Sequence, residues 1–245
     1  MLIDTRDPGE PSFEESLRIY ERRRYEIERF QLFNETFHPQ HCNEILNLGC
    51  GGDAAPTRAF PGKRVINVDY CKSNIDVLKA QEPNAEIHVA DAKEFIPPTS
   101  DQKVDAIIYA GAFAKEGLRH LRTGGYLLVS ATAIVLDEIR SEPGMKLIGI
   151  VWKNDGSPTP GHHYRINTEQ GEDLQSYLEP IQTDADVEAL RVEDPVVVEQ
   201  AKARHASGDV LGSAVKIAAE ICGYIPRKKG HSINRPDMFI FQKNS

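Results

Sequence analysis

The sequence predicts a doubly wound α/β fold: a mostly parallel, seven-stranded sheet, a helix ahead of it, and a helical insertion between strands six and seven. Three observations carry this. Between Glu44 and Val129, short apolar runs alternate with polar, helix-compatible segments. Several runs are rich in Val and Ile without strict alternation, as strands covered on both faces require. Roughly 85 residues then separate the last two runs, far more than an ordinary connection.

The first element is a helix. Ser12 and Glu15 have capping-box spacing, and Phe13, Leu17, Tyr20, Ile27, Phe30 and Phe37 recur at helical intervals. Arg22, Arg23 and Arg24 read as a solvated face paired with Glu21, Glu26 and Glu28. Five strands follow: Ile45 to Leu48, Val65 to Val68, Ile87 to Val89, Val104 to Tyr109 and Tyr126 to Val129. A helical stretch near Ile134 to Arg140 leads to a sixth, Leu147 to Trp152, and Met238 to Phe241 makes the seventh. The insertion opens with a Gly/Pro loop, Asn154 to Gly161. Three or so short helices are expected after it, from start signals at Thr183/Asp186 and Asp194-Pro195 and stop signals at Gly208 and Gly223. The expected organisation is a helical cover (1–40), a core (41–153), the insertion (154–235) and a final core strand (236–245).

Composition narrows the function classes. With 40% hydrophobic and 27% charged residues in 245, the chain can bury a full-sized core. The apolar stretch Ala106 to Ala114 is about half of the roughly 18 residues needed to cross a bilayer, and Asp4, Asp7 and Glu10 interrupt any signal-peptide core, so a cytoplasmic protein is expected. A net charge of −8 is the wrong sign for coating a polyanion. Cys42, Cys50, Cys71 and Cys222 form no CxxC pair and read as reduced structural thiols, with no metal site expected.

The chemistry concentrates in ILNLGCGGD, Ile45 to Asp53. A strand runs directly into Gly49-Cys50-Gly51-Gly52, where glycines let the backbone turn sharply and approach a ligand. The second strand ends in Asp69 and the third is followed by Asp91, which places all three features on the carboxyl edge of a parallel sheet. An acid at the second position suits two ribose hydroxyls, and one at the third suits the exocyclic amine of adenine. Either acid could also be an ordinary helix cap.

The segments LNLGCGGD, VINVD, VADA, VDAIIYA and HLRTGGYLLVS resemble the first five strands of a class I S-adenosylmethionine-dependent methyltransferase, with a Rossmann-like sheet, over about Glu44 to Ser130. The resemblance implies S-adenosylmethionine as cofactor. It implies that Gly49 and Gly51, flanking Cys50, pass beside the methionine part. Asp69, with Tyr70 next to it, holds the ribose. Asp91, with Ala92, approaches the adenine amine, and Tyr109 or Ala110 faces the reacting methyl group. The acid many relatives carry two residues before the first glycine is Asn47 here. It cannot offset the cofactor ammonium, so Asp53 is the candidate replacement. The short link from Gly51 to Val65 counts against the competing NAD reading, because a dinucleotide-binding βαβ unit runs to about 30 residues.

Methyl transfer needs acceptor and methyl group held in contact, and a route for any acceptor proton. After the fourth strand the sequence reads YAGAF, without the [ND]PP[YFW] string of amino-group methylation, and no cysteine stands there to attack a pyrimidine. A small-molecule acceptor is therefore expected over nucleic acid. Candidate substrate residues are His162, His163 and Tyr164 in GHHY, since histidine titrates near neutral pH. His120 reads as the exposed face of a short helix, and Arg227, Lys228, Lys229, His231 and Arg235 as a solvated turn. The insertion is expected to form a substrate lid, with a homodimer contact as the alternative use of its apolar faces. The other functional readings are a domain that binds the cofactor or its product without turnover, and an NAD-dependent oxidoreductase.

Overall fold

The computed structural model describes residues 13–14, 17–18, 26–109, 115–130, 139, 142–153, 164–168, 178–180, 224–226 and 236–244, with backbone alone at 153, 178–180, 224–226 and 236. Helix α1 spans Ile27–Phe37, and Phe13, Glu14, Leu17 and Arg18 ahead of it are also helical. It ends where His38 turns left-handed (φ 43°) and donates its N–H to the Asn34 carbonyl at 3.1 Å.

The strands follow in chain order: β1 Glu44–Leu48, β2 Arg64–Asp69, β3 Glu86–Val89, β4 Val104–Tyr109, β5 Leu121–Ser130, β6 Met145–Lys153, β7 Tyr164–Asn167, β8 Leu178–Pro180, β9 Tyr224–Pro226 and β10 Pro236–Lys243. Helix α2, Ala55–Ala59, joins β1 to β2, and α3, Lys72–Gln81, joins β2 to β3. A 3-10 turn, Lys115–His120, leads into β5.

One eight-stranded sheet has the order β3-β2-β1-β4-β5-β10-β6-β7. Strands β1 to β5 pair in parallel, and β10 inserts antiparallel between β5 and β6. The order reverses between β1 and β4, which opens a crevice at the carboxyl edge.

This corrects the expected strand count from seven to eight. Tyr164–Asn167, placed by the sequence reading in the insertion with no strand expected, pairs antiparallel with β6. Four residues are too short for a period to register, and β6 supplies the pairing. Inside the insertion β8 and β9 form a separate two-stranded ribbon. The helices expected there, most of the Ile134 to Arg140 helix and the basic cluster Arg227 to Arg235 lie outside the described residues.

Alternate residues of each strand enter opposite cores. On one face lie Leu46, Leu48, Ile66, Val68, Ile107, Tyr109, Leu127, Val129, Trp152 and Phe241. On the other, Ile45, Val65, Ala106, Ile108, Leu128 and Ile240 meet Phe30 and Phe33 of α1 and Phe60 behind α2. Phe33 sets its ring against Tyr126 at 5.2 Å and 76°, and Asn34 Nδ2 donates to the Ala59 carbonyl at 2.8 Å. α1 is therefore fixed to the same side of the sheet as α2.

At the amino-terminal edge, Asp105 Oδ2 accepts the N–H groups of Asn43 (2.8 Å) and Glu44 (2.9 Å), while Oδ1 takes Arg122 Nη1 at 2.6 Å. Arg122 also reaches Glu44 and Asp101. These bonds align the starts of β1, β4 and β5, and so set where their other ends emerge. Among the described residues, no helix is long and apolar enough to cross a membrane.

Candidate active site

β1 ends at Leu48 and the chain leaves the sheet through the glycines. Gly49 (φ 63°) and Gly51 (φ 57°) both lie in the left-handed region, where a side chain costs about 1–2 kcal/mol. Cys50 donates its N–H to the Val68 carbonyl at 3.1 Å, pinning the loop to the end of β2. Asp69, the last residue of β2, accepts Gly51 N–H on Oδ2 and Cys71 N–H on Oδ1, each at 2.8 Å. Each oxygen keeps acceptor capacity beyond that bond. Gln81, at the end of α3, donates to the Gly52 carbonyl at 2.9 Å and braces the loop from behind.

Beneath the loop, the register places Asn47 opposite Asn67. Asn47 is fully buried and donates through Nδ2 to Asn67 Oδ1 at 2.9 Å. Asn67 in turn donates to Thr57 Oγ1 and the Glu86 carbonyl, both at 3.2 Å. Asn47 Oδ1 has no partner among the described residues. The side chain expected at the cofactor therefore ties β1, β2 and α2 together. Two polar residues inside apolar strands, LNL and INV, were the signal for this pair.

Asp53 accepts Ala55 N–H on Oδ1 at 2.8 Å, capping α2, and its Oδ2 lies 3.9 Å from Arg29 Nη2. Its negative charge is thus shared with an arginine from α1 that the sequence reading missed. The available signal was a basic residue inside the apolar stripe Phe30, Phe33, Phe37.

Cys50 is a core group. Its side chain packs with Ala54, Ile75 and Leu78, and burial, followed by Asp69 and Asp53, pushes the thiol well up. Among the named site residues it contributes backbone. Tyr70, by contrast, is 73% exposed at the strand-end edge. The Ala90 N–H donates to the Asp69 carbonyl at 3.0 Å, holding the ends of β2 and β3 side by side. Asp91 Oδ1 accepts Lys93 N–H at 2.8 Å and the Asp91 carbonyl accepts Phe95 N–H at 3.0 Å, so this acid caps a turn while remaining exposed. Ala92 packs half-buried against the core.

Tyr109 turns inward. Its ring is fully buried, and a Cβ on Gly117 would lie 2.0 Å from the hydroxyl, so the 3-10 turn passes directly over it. Ala110, His162 and His163 lie outside the described residues. Tyr164 opens β7 and is buried in the core shared with α1, because β7 pairing turns it into the sheet face. His120, read as exposed, is buried at the opposite edge. It bonds the Gln102 carbonyl through Nδ1 (2.8 Å) and accepts Arg119 Nε on Nε2 (3.0 Å). The cleft of about 440 Å³ lined by His38, His41, Cys42, Arg122 and Tyr126 opens at that same amino-terminal edge, away from the strand ends where ligands of this sheet type bind.

The structure thus brings Gly49, Gly51, Asp53, Asp69, Tyr70 and Asp91 to one edge. Residues 46–129 match the family model described as a methyltransferase domain. No curated protein matches the chain. Solved structures similar to it include the amino pentose methyltransferase CalS10 of Micromonospora echinaspora (16% identity, 50% of this chain and 51% of that one, TM-score 0.33). They also include the O-methyltransferase TomG of Streptomyces achromogenes (12%, 67% and 89%, 0.43) and human N-acetylserotonin methyltransferase (19%, 54% and 41%, 0.38). This chain spans about half of the first and two fifths of the third. At these TM-scores the likeness adds nothing to what the sheet order already says. Residues 46–129, which carry the glycine loop and the acids ending β2 and following β3, are thus a segment similar to a methyltransferase domain.

Proposed function

We propose that the chain transfers a methyl group from S-adenosylmethionine to a small-molecule acceptor. The observation that carries this is Asp69, which shapes the glycine loop through Gly51 and still offers acceptor capacity on both oxygens at the sheet's carboxyl edge. When bound, S-adenosylmethionine supplies an electrophilic methyl group on a sulfonium. Gly49 and Gly51 would pass beside its methionine part, Asp69 would hold the ribose hydroxyls, and Asp91 the adenine amine. Tyr70, exposed beside Asp69, would cover the base.

Charge supports both cofactor and acceptor class. Asp53, Asp69, Asp91, Glu94 and Asp237 cluster around the strand ends and the turns leading from them. Among the described residues, the basic groups beside these acids are Arg29, paired with Asp237 and Glu26, Lys93, and Lys72, paired with Asp76, while Lys153 and Arg165 stand farther along the edge on β6 and β7. The acids around the ends of β1 to β3 favour a cationic cofactor there and disfavour a polyanionic acceptor beside it. They also disfavour NAD: the Asp53 carboxylate occupies the start of α2, where a dinucleotide's pyrophosphate would need bare N–H groups.

The burial of Tyr109 favours one second reading, a domain that binds cofactor or product without turnover. Mass spectrometry of ligand carried through purification, followed by calorimetry with S-adenosylmethionine and S-adenosylhomocysteine, tests the cofactor. Methyl transfer from labelled cofactor into a metabolite extract, against an RNA control, tests turnover and acceptor. Binding without transfer to either would favour the second reading, and binding of neither ligand would reject both.

A further inference from the structure

Three segments distant in sequence meet at one buried guanidinium beside the glycine loop. Arg29 of α1 is 6% exposed. Its Nη1 donates to Asp237 Oδ2 at 2.9 Å, at the start of β10, and its Nη2 lies 3.1 Å from Glu26 Oε2 and 3.9 Å from Asp53 Oδ2. The guanidinium also stacks over Phe30, 4.7 Å from the ring centre, and Nε has no partner among the described residues. Burial works against the charge, but the three carboxylates outweigh it and hold Arg29 protonated.

We propose that Arg29 is a positioning residue for the cofactor: acting through Asp53, it holds the glycine loop in its binding shape and makes that shape depend on the docking of α1 and the start of β10. The inference rests on the reading of Gly49 to Asp53 as the cofactor loop. The loop's other anchors, Val68, Asp69 and Gln81, all come from β2 and α3. Arg29 supplies an anchor from the opposite side. Asp53 is the natural lever, since one oxygen caps α2 while the other faces the guanidinium, and its N–H closes the turn on the Cys50 carbonyl at 3.2 Å. A planar, three-way fork suits arginine and not lysine, whose ammonium is a point charge. Linkage is reciprocal, so a cofactor that favours the set loop also favours docked α1 and β10, the elements flanking the same edge.

A double-mutant cycle in cofactor affinity tests this on the full chain. S-adenosylhomocysteine is titrated by calorimetry into wild type, Arg29→Met, Asp53→Asn and the double variant, each checked for folding by thermal melting. Each single change should raise Kd about tenfold, and the double should be little weaker than the worse single, as for residues acting in one network. Arg29→Lys should recover part of the affinity. If Arg29→Met leaves Kd unchanged, or costs the same factor with Asn at position 53 as with Asp, Arg29 does not act through Asp53 and the proposal is overturned. Should Arg29→Met not fold, Arg29→Lys takes its place in the cycle under the same criterion. A folded wild type that binds no S-adenosylhomocysteine would instead sink the cofactor reading itself.

Discussion

The Asp69 carboxylate accepts the Gly51 N–H at 2.8 Å, so the acid at the end of β2 and the turn at the end of β1 are one unit. The residue proposed to hold the ribose also shapes the loop that approaches the methionine part. Affinity and loop geometry are therefore coupled at a single side chain.

Asp69→Ala should weaken S-adenosylmethionine binding by about 1.5–3 kcal/mol, roughly 10- to 150-fold, the range for hydrogen bonds to a charged group. It should also lower the melting temperature, because the N–H groups of Gly51 and Cys71 lose their buried acceptor. Asp69→Asn, with one acceptor oxygen in place of two, should fall between. Calorimetry beside thermal melts checks this, and an unchanged affinity in the alanine variant would reject the role.

Gly51→Val should abolish cofactor binding and leave the sheet folded. At φ 57° a β-branched residue is strained by at least the roughly 1–2 kcal/mol of the left-handed region, which a domain of ordinary stability survives. The new side chain would stand where the backbone must meet the ligand. Circular dichroism paired with a binding titration distinguishes loss of ligand from loss of fold, and normal binding would place the cofactor elsewhere.

Acid sensitivity should trace to the amino-terminal edge. Burial pushes Asp105 up, but the N–H groups of Glu44 and Asn43 and the Arg122 guanidinium outweigh it and hold the carboxyl below its ordinary 3.8. A group depressed on folding stabilises above its unfolded pKa, and that stability is lost as pH falls through the folded value. Denaturation midpoints should therefore drop below about pH 4, and Asp105→Asn should flatten that drop while lowering stability near neutrality. An equally steep profile in the variant would assign the effect to other carboxylates.

His120 should titrate below its ordinary 6.5. Burial is the main cause, with Arg119 and Lys103 adding repulsion against the opposing bond to the Gln102 carbonyl. The neutral ring donates from Nδ1 and accepts Arg119 on Nε2, and protonation would set two donors against each other. Its stabilising contribution is present above pH 6.5 and is lost as pH falls through the folded value. The imidazole proton shifts of His120, followed by NMR, check the midpoint, and a value at or above 6.5 would contradict the buried, doubly bonded ring.

The strands of the core were legible because apolar runs of Val and Ile bounded by polar segments are a local property, and β1 to β6 and β10 fall where those runs lie. The glycine loop and its two acids were legible for the same reason: each stands next to a strand end, and parallel pairing carries strand ends to one edge. β7 was not legible, since four residues acquire strand identity only from the partner they meet.

The sequence by itself determined the α/β fold class and that Gly49, Gly51, Asp69 and Asp91, the candidate ligand residues, stand on one edge of the sheet. Only the tertiary structure decided what each side chain is free to do there. Asn47 pairs with Asn67, Tyr109 turns under Gly117, Cys50 packs on α3, and Arg29 arrives from 24 residues before Asp53 to share its charge. The reason is physical. Backbone periodicity is written in neighbours along the chain, whereas burial and charge are set by whichever groups the sheet order and the docking of α1 bring within a few ångströms.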